Sequence, residues 1–576
     1  MEKNKKDHKI NKKSFYFEDY NYISENEFKK NKLNINEDRV YLLFFIFFSL
    51  IFIFSIKIFI TSLQNPFSKI HSQNHSFFKP LRGDITDRNG EIIARNVRVY
   101  HAAIKPNLIK DKKKFILKLK IQYPKLDTET FKKNLYKNKY FYFKKNITEG
   151  ERVKLWSLGE KGILFEKTQT RIYPHKNLFS HIVGQIDLDN NGISGIEKYF
   201  DKNLKSRKQE NIKLSLDVNL QYLVREELLK SVANFNAKGA GGILMDVKNG
   251  EILSLVSLPD YDLNLRQEIK HDKFTNKVTK GVFELGSIFK TFTIALALEK
   301  NLFSPNSIIK NIPNEIKCSK YIITEHDKLP NDLSLRDILI RSSNIGTIKV
   351  ARQIGQKKLK KFLEDLNLLN TSNIELNETG SPLYFNWKNK CKLETVSYGH
   401  GITTTPLQAA TAYASIANGG FIVEPTLIQG KNLSLDREKI ISFETSKKIN
   451  SILREVVTNN HGTATLANVE GYYVGGKTGT AKKNINGEYT NKKLTSFISV
   501  FPSANPQYVL LVLIDEPKPA PQIIYNYKGK KISGIHRNES GWNSAYTAGK
   551  IIEKIGPILA IKRNDFYDNY VVKKSY

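Results

Sequence analysis

The chain is poor in cysteine, methionine and tryptophan, with two, two and three among 576 residues. Cys318 and Cys391 are too far apart for any metal-ligand spacing. They could pair in an oxidising compartment, but the sequence gives no proximity, and the expectation is of no structural disulfide. Eleven histidines include no His-Glu-x-x-His, so a metalloprotease reading has no support. Acidic residues are also scarce: 57 Asp and Glu stand against 91 Lys and Arg, a net charge of +34. That balance would suit nucleic acid, yet no recognition motif accompanies it and the positive residues are spread throughout, so no nucleic-acid partner is expected. The richness in Lys, Asn and Ile fits a compositional bias, and a general attraction to anionic surfaces is compatible with it. No internal repeat is present.

Long apolar runs are absent too, with one exception. Residues 40–56 carry no charge, and the run continues past Lys57 to Ser62. A helix of that length spans ~34 Å, enough for a ~30 Å hydrocarbon core, and Lys57 lies near enough to its end to snorkel. The following Leu63-Gln-Asn-Pro66 lacks the small residues of a cleavage site, so an uncleaved anchor is expected rather than a signal peptide. The run is too continuously apolar for an amphipathic core helix. Residues 1–39 are polar and of mixed charge, and read as a disordered tail. Lys29, Lys30, Lys32 and Arg39 just before the span predict a cytoplasmic N-terminus, which puts the rest of the chain on the far side of the membrane.

Against this background three short elements fall in one order: Ser287-Ile-Phe-Lys290, Ser342-Ser-Asn344 and Lys477-Thr-Gly479. Each alone is weak. Ser-x-x-Lys also occurs at Ser76 and Ser307, and Ser-x-Asn at Ser24, Ser72, Ser304 and Ser503, whereas Lys-Thr-Gly occurs once. Taken singly, they read as a helix start, a cap and a turn; the order and context carry the chemistry. Ser287 follows Gly286 and precedes an apolar run without Gly or Pro, which predicts a buried helix starting near Ser287. Residues i and i+3 share a helix face, so Lys290 is expected within reach of the Ser287 hydroxyl. A serine needs a base to become a nucleophile, and a lysine can be that base if burial or a second cation lowers its pKa. Lys477 would be the second cation. With Thr478 and Thr480 it could also hold a substrate carboxylate.

The stretch around Gly475, Gly476 and Gly479 reads as a strand that allows close backbone approach. With 495–501 and 508–514 it predicts an antiparallel meander whose edge strand could pair with a peptide. The backbone N–H groups of Ser287 and Thr480 are the candidate oxyanion hole. Residues 242–247 and 251–256 around Asn249-Gly250 predict a hairpin. The fold class expected is α+β: a membrane helix, a small α+β pedestal, and a domain with one antiparallel sheet flanked by helices. The run 111–145, alternating Lys with apolar residues, reads as solvated amphipathic helices rather than a basic-aromatic nucleic-acid surface.

These elements together resemble the penicillin-recognising serine acyltransferases. The flanking residues narrow the resemblance to class B penicillin-binding proteins: Phe283-Glu-Leu-Gly-Ser-Ile-Phe-Lys290, Ser397-Tyr-Gly-His-Gly401, Thr405-Pro-Leu-Gln408, Gly475-Gly-Lys-Thr-Gly-Thr-Ala481 and Asp515-Glu-Pro-Lys518. Arg82-Gly-Asp-Ile-Thr-Asp-Arg-Asn-Gly90, Arg171-Ile-Tyr-Pro174, His181-Ile-Val-Gly184 and Gly192-Ile-Ser-Gly-Ile-Glu197 resemble pieces of that family's non-catalytic module. The last of these and Asp515–Lys518 are most similar to the division-specific, septal branch. His461-Gly-Thr-Ala464 and His175-Lys176 depart from the family pattern, and neither is expected to touch the catalytic set.

The resemblance implies a peptidoglycan D,D-transpeptidase acting at the septum without a metal or organic cofactor. Ser287 would be the acylated nucleophile, Lys290 its base, Ser342 a proton relay and Asn344 a partner of the substrate amide. Lys477, Thr478, Gly479 and Thr480 would bind the anion and the oxyanion. It also implies stem peptides ending in D-Ala-D-Ala and beta-lactams as ligands, and a separate membrane glycosyltransferase and other division proteins as partners. Competing readings are an elongation-type transpeptidase, a hydrolase with water as acceptor, and a division scaffold with little turnover. The expected organisation is a cytoplasmic tail (1–39), a membrane anchor (40–62), a periplasmic pedestal of dimerisation type (63–210), a transpeptidase domain (211–560) and a short C-terminal tail (561–576).

Overall fold

The computed structural model describes residues 37–63, 82–206, 210–265, 272–319, 321–383, 386–431, 437–485 and 488–572. Most of the predicted N-terminal tail, with Lys29, Lys30 and Lys32, lies outside the described residues, as does the Ser76 decoy. The apolar run forms one helix, α1 (Glu37–Leu63). Within it Val40–Ile60 is long and apolar enough to cross a membrane.

The remainder of the chain is a separate compact unit. Its first part is the predicted α+β pedestal. A long strand, β1 (Ile92–Ile104), pairs antiparallel with β2 (Phe141–Ile147) on one side and β3 (Ile163–Ile172) on the other. Helices α2 (Lys112–Gln122), α3 (Thr128–Tyr136) and α4 (Glu149–Trp156) cover this sheet. Asp111, Asp127 and Thr148 cap their N-termini, accepting from backbone N–H groups of the first turn. The Lys-rich run is amphipathic as predicted: Phe115, Leu119, Phe131 and Leu135 are buried in a small core of their own, and the lysines face out.

At its other end the pedestal merges into the main core through Ile85, Phe179, Ile182 and Ile196. An ionic joint lies here, built from three of the motifs. Arg82 Nε donates to Glu197 Oε2 at 2.5 Å and Arg171 Nε to Glu197 Oε1 at 2.7 Å. Arg82 also reaches Asp201 at 2.7 Å, and Arg171 the carbonyl of Gly83 at 2.8 Å. Glu197 is fully buried and the two guanidiniums nearly so. A buried charge that loses its partner is costly. Glu197→Gln is therefore expected to destabilise the folded chain by about 3–5 kcal/mol, read as a fall in the denaturant midpoint at unchanged slope.

The second part of this unit begins with α5 (Val218–Asn234), capped by Asp217. It leads into β4 (Gly239–Asp246) and β5 (Ile252–Leu258), the predicted hairpin. Then come α6 (Lys290–Glu299), a short ribbon of β6 (Glu315–Cys318) and β7 (Tyr321–Thr324), α7 (Asn344–Ile354) and α8 (Lys392–Ser397). Next are α9 (Pro406–Ala417), with a Thr405–Gln408 capping box and Pro406 at its start, and α10 (Phe443–Thr458). The predicted meander follows as β8 (Gly475–Ile485), β9 (Glu488–Phe501) and β10 (Tyr508–Asp515). A hairpin of β11 (Ala520–Tyr527) and β12 (Lys530–Gly534) precedes the final helix α11 (Ser544–Val572).

The main sheet has the order β8-β9-β10-β4-β5, antiparallel throughout. Helices α5 and α11 pack on each other and on one set of strands, and α9 and α10 form the second helical group. The central β10 is buried at every residue, which explains its unbroken apolar run.

The C-terminal segment after 560 continues α11 to Val572. One expectation needs correction. The two cysteines are paired: Cys318 at the end of β6 and Cys391 at the start of α8 are bonded, with Cα atoms 5.8 Å apart. The β6–β7 ribbon folds back onto the beginning of α8, a long-range approach that their separation in sequence hides.

Candidate active site

Ser287 lies in a tight 3-10 turn, Gly286–Phe289, that runs directly into α6. The helix was expected to start near Ser287; the 3-10 turn begins there and regular α geometry follows from Lys290. The turn is pressed against the edge strand β8. Gly286 has φ +57, and a Cβ there would stand 2.8 Å from the carbonyl oxygen of Thr480. A Cβ on Gly479 would come within 2.2 Å of the carbonyl oxygen of Leu285. Both glycines are needed for this approach. Tyr413 on α9 fixes the turn from behind, donating to the carbonyl of Ile288 at 2.9 Å.

The three sequence elements meet here. Ser287, Ser342, Asn344, Thr478 and Thr480 line one cleft of about 900 Å³. Lys290 and Lys477 lie fully buried beneath it. The expected contact between Lys290 and Ser287 takes another form: Lys290 Nζ donates to the carbonyl oxygen of Ser342 and, at 3.1 Å, to Ser342 Oγ. Lys477 Nζ donates to the same Ser342 Oγ at 2.9 Å, and to Thr478 O and Oγ1 at 3.2 and 3.3 Å. Two lysines thus converge on one hydroxyl. Ser342 presents both its oxygens because its backbone is left-handed, φ +59, an unusual conformation for serine that is typical of constrained sites.

Burial pushes the Lys290 ammonium down from an ordinary 10.5 to about 7, against the Glu325 carboxylate, which holds it up. Lys477 is held well below the usual lysine range, first by burial and then by the charge of Lys290. Of the two causes the sequence suggested, burial is the larger for both lysines, and the second cation acts on Lys477.

Asn344 begins α7. Its side-chain amide donates to the carbonyl of Thr324 at 3.0 Å. Glu325, which no motif marks, holds this corner: it accepts from Ser343 Oγ at 2.6 Å, from Asn344 N at 2.7 Å and from Ile345 N at 2.9 Å. A second unforeseen group is Glu284, inside the quoted Phe283–Lys290 string. It accepts from Gly401 N at 3.0 Å and from Tyr489 OH at 2.9 Å, and His400 Nδ1 stands 3.4 Å away. The His400 ring stacks on Tyr489 at 4.9 Å, forming one wall of the cleft. Buried Lys392 donates to the carbonyl of Gly401; burial lowers it to about 8, with Glu284 opposing. One reading is corrected: the His461–Ala464 departure does touch the site. His461 lines the cleft, and Thr463 Oγ1 lies 2.8 Å from Thr478 Oγ1. In the other departure, Lys176 has φ +51, a left-handed conformation that favours glycine.

The chain resembles known proteins over most of its length. Residues 240–538 match the family model of the penicillin binding protein transpeptidase domain, and residues 78–219 that of the penicillin-binding protein dimerisation domain. The chain is 29% identical to the probable peptidoglycan D,D-transpeptidase FtsI of Caulobacter vibrioides, over 84% of this chain and 82% of that protein. It is 31% identical to the peptidoglycan D,D-transpeptidase FtsI of Buchnera aphidicola, over 76% of this chain and 82% of that protein. Among solved structures, penicillin binding protein 3 of Mycobacterium tuberculosis, complexed with aztreonam, shares the fold with a TM-score of 0.64 at 21% identity, covering 84% of this chain and 97% of that one. The chain belongs to the class B penicillin-binding proteins, with a dimerisation module followed by a serine transpeptidase domain.

Proposed function

We propose that this protein is a peptidoglycan D,D-transpeptidase in which Ser287 forms the acyl-enzyme. The observation that carries the reading is the convergence of Lys290 and Lys477 on Ser342 Oγ, in the cleft that Ser287 lines. A hydroxyl has two acceptor sites and one donor. With both lysines donating, the Ser342 hydrogen is left to point towards the cleft.

In this mechanism neutral Lys290 takes the Ser287 proton as Oγ attacks the carbonyl between the two D-Ala residues of a stem peptide. The N–H groups of Ser287 and Thr480 face the developing oxyanion. The proton passes through Ser342 to the departing amine, and D-Ala leaves. Lys477, with Thr478 and Thr480, holds the terminal carboxylate, and Asn344 orients the peptide amide. An amine of a second stem then attacks the acyl-enzyme and gives up its proton along the same path. A beta-lactam acylates Ser287 and stays, because its leaving group remains tethered.

The test uses the full chain in detergent. A fluorescent penicillin should label it, with the adduct mapped to the peptide containing Ser287. A stem peptide ending in D-Ala-D-Ala plus an amine acceptor should release D-Ala and yield the cross-linked product. D-Ala release without cross-link would make it a hydrolase; neither label nor release would favour the scaffold reading.

The septal role is part of the proposal and draws on the FtsI relatives and the Asp515–Lys518 resemblance. A functional fluorescent fusion should gather at mid-cell during constriction; a side-wall distribution would assign elongation instead. The proposed topology has α1 in the inner membrane with its N-terminus cytoplasmic, where a separate membrane glycosyltransferase and other division proteins would be partners. A protease added outside spheroplasts should remove the cleft-bearing part and spare an N-terminal tag.

A further inference from the structure

The disulfide joins two segments that each lead into the lining of the cleft. Cys318 ends β6, and the ribbon returns through β7 to Thr324 and Glu325, followed by the cleft-lining His326 and Asp327. Cys391 caps α8, which leads into the cleft-lining Tyr398, Gly399 and His400. The ribbon pairs with no other strand among the described residues. Its outer surface is exposed, with Ile322 at 61%. Both cysteines are half-buried, so a small reductant can reach them.

The ribbon holds the corner that presents Ser342 to the two lysines. Glu325 accepts from Ser343 Oγ and from the N–H groups of Asn344 and Ile345, and Thr324 O accepts from the Asn344 amide. Ser342, one residue earlier, is in its left-handed conformation. A backbone in that region persists only where its surroundings hold it. The cross-link is the covalent tie between this ribbon and the α8 side of the cleft.

We propose that the Cys318–Cys391 disulfide is a redox-responsive clamp, with Glu325 as the positioning residue it controls: opening it with a dithiol frees the ribbon and slows acylation of Ser287 while the fold stays in place. The inference rests on Ser287 as the nucleophile. In the step, a thiolate of the dithiol attacks one cystine sulfur, the S–S bond breaks and a mixed disulfide forms. The second thiol then closes the oxidised ring, and both protein cysteines end as thiols. Two electrons pass from the dithiol to the cystine.

The experiment compares penicillin acylation rates of the full chain, oxidised and after dithiothreitol, with the thiol count and near-UV circular dichroism recorded for both. Reduction should slow acylation by roughly tenfold to a hundredfold, the scale of a displaced positioning group. The double variant Cys318→Ser/Cys391→Ser should sit at the reduced rate and ignore dithiothreitol. Oxidised Glu325→Gln should match the reduced protein, and Glu325→Asp should recover most of the rate, which a purely structural role would not give. Equal rates in both redox states, or a wild-type rate in Glu325→Gln, would overturn the clamp. So would loss of near-UV signal on reduction, since the bond would then hold the whole fold. Absence of label in the oxidised protein would instead sink the assignment of Ser287, and the clamp with it.

Discussion

Ser287→Ala is expected to remove penicillin labelling entirely, a drop in acylation of at least ~10⁴-fold, because losing the nucleophile of an acyl-transfer site removes the covalent route itself. The fold should be indifferent. The Ser287 side chain is half-buried at the cleft wall and makes no hydrogen bond to protein among the described residues. Such a truncation shifts stability by about 0.5 kcal/mol or less, so the melting curve should overlay that of the wild type. The decoy serine gives the contrast. Ser307 also begins a Ser-x-x-Lys string, but its hydroxyl accepts from Ser304 N at 2.9 Å in a tight turn, and it is not among the residues that line the cleft. Ser307→Ala should label at the wild-type rate. Residual label in Ser287→Ala, located by peptide mapping, would place the nucleophile elsewhere and dismantle the proposed mechanism.

The parts of this site legible in the sequence are those fixed by local geometry or by fixed chemistry. A Ser three residues before a Lys at a helix start, a Gly-rich edge strand and an apolar meander each leave a short-range pattern, and the chain folds accordingly around Ser287, Lys477 and β10. The pedestal motifs Arg82, Arg171 and Glu197 could be quoted separately, but nothing in them announced that they form one buried ion cluster. The hidden features are tertiary. Glu325 acts on residues 343–345 across a turn of chain with no periodic signal, and its role exists only because the ribbon is folded back. The Cys318–Cys391 bond has the same origin. The contact of Lys290 with Ser342 was hidden for a related reason: helix spacing brings Ser287 and Lys290 to one face, but the left-handed backbone of Ser342 offers the ammonium two oxygens at once, and serine carries no sequence mark for that conformation.

Lys290→Met should cost acylation about 10²–10⁴-fold, the usual worth of a positioned general base, and the pH profile should show why. Burial lowers Lys290 to about 7, so in the wild type the rate should climb from acid solution with a midpoint near that value, as the neutral amine becomes available. In Lys290→Met this limb should vanish. Lys290→Arg keeps a positive charge but cannot lose it; it should be as slow as the methionine variant if Lys290 is the base, and close to wild type if only its charge matters. Stability separates this loss from misfolding. The unfolded chain holds the Lys290 proton up to about 10.5, whereas the folded chain releases it near 7. Between those values the unfolded state binds more protons, so burial of this lysine weakens the fold near neutrality and the weakness fades as the pH rises. Removing the amine removes that cost. Lys290→Met should therefore melt at or above the wild-type temperature at pH 7, with the advantage shrinking towards pH 10. A variant that is inactive and also markedly less stable at pH 7 would mean that Lys290 is held for packing, and another group would have to take the proton from Ser287.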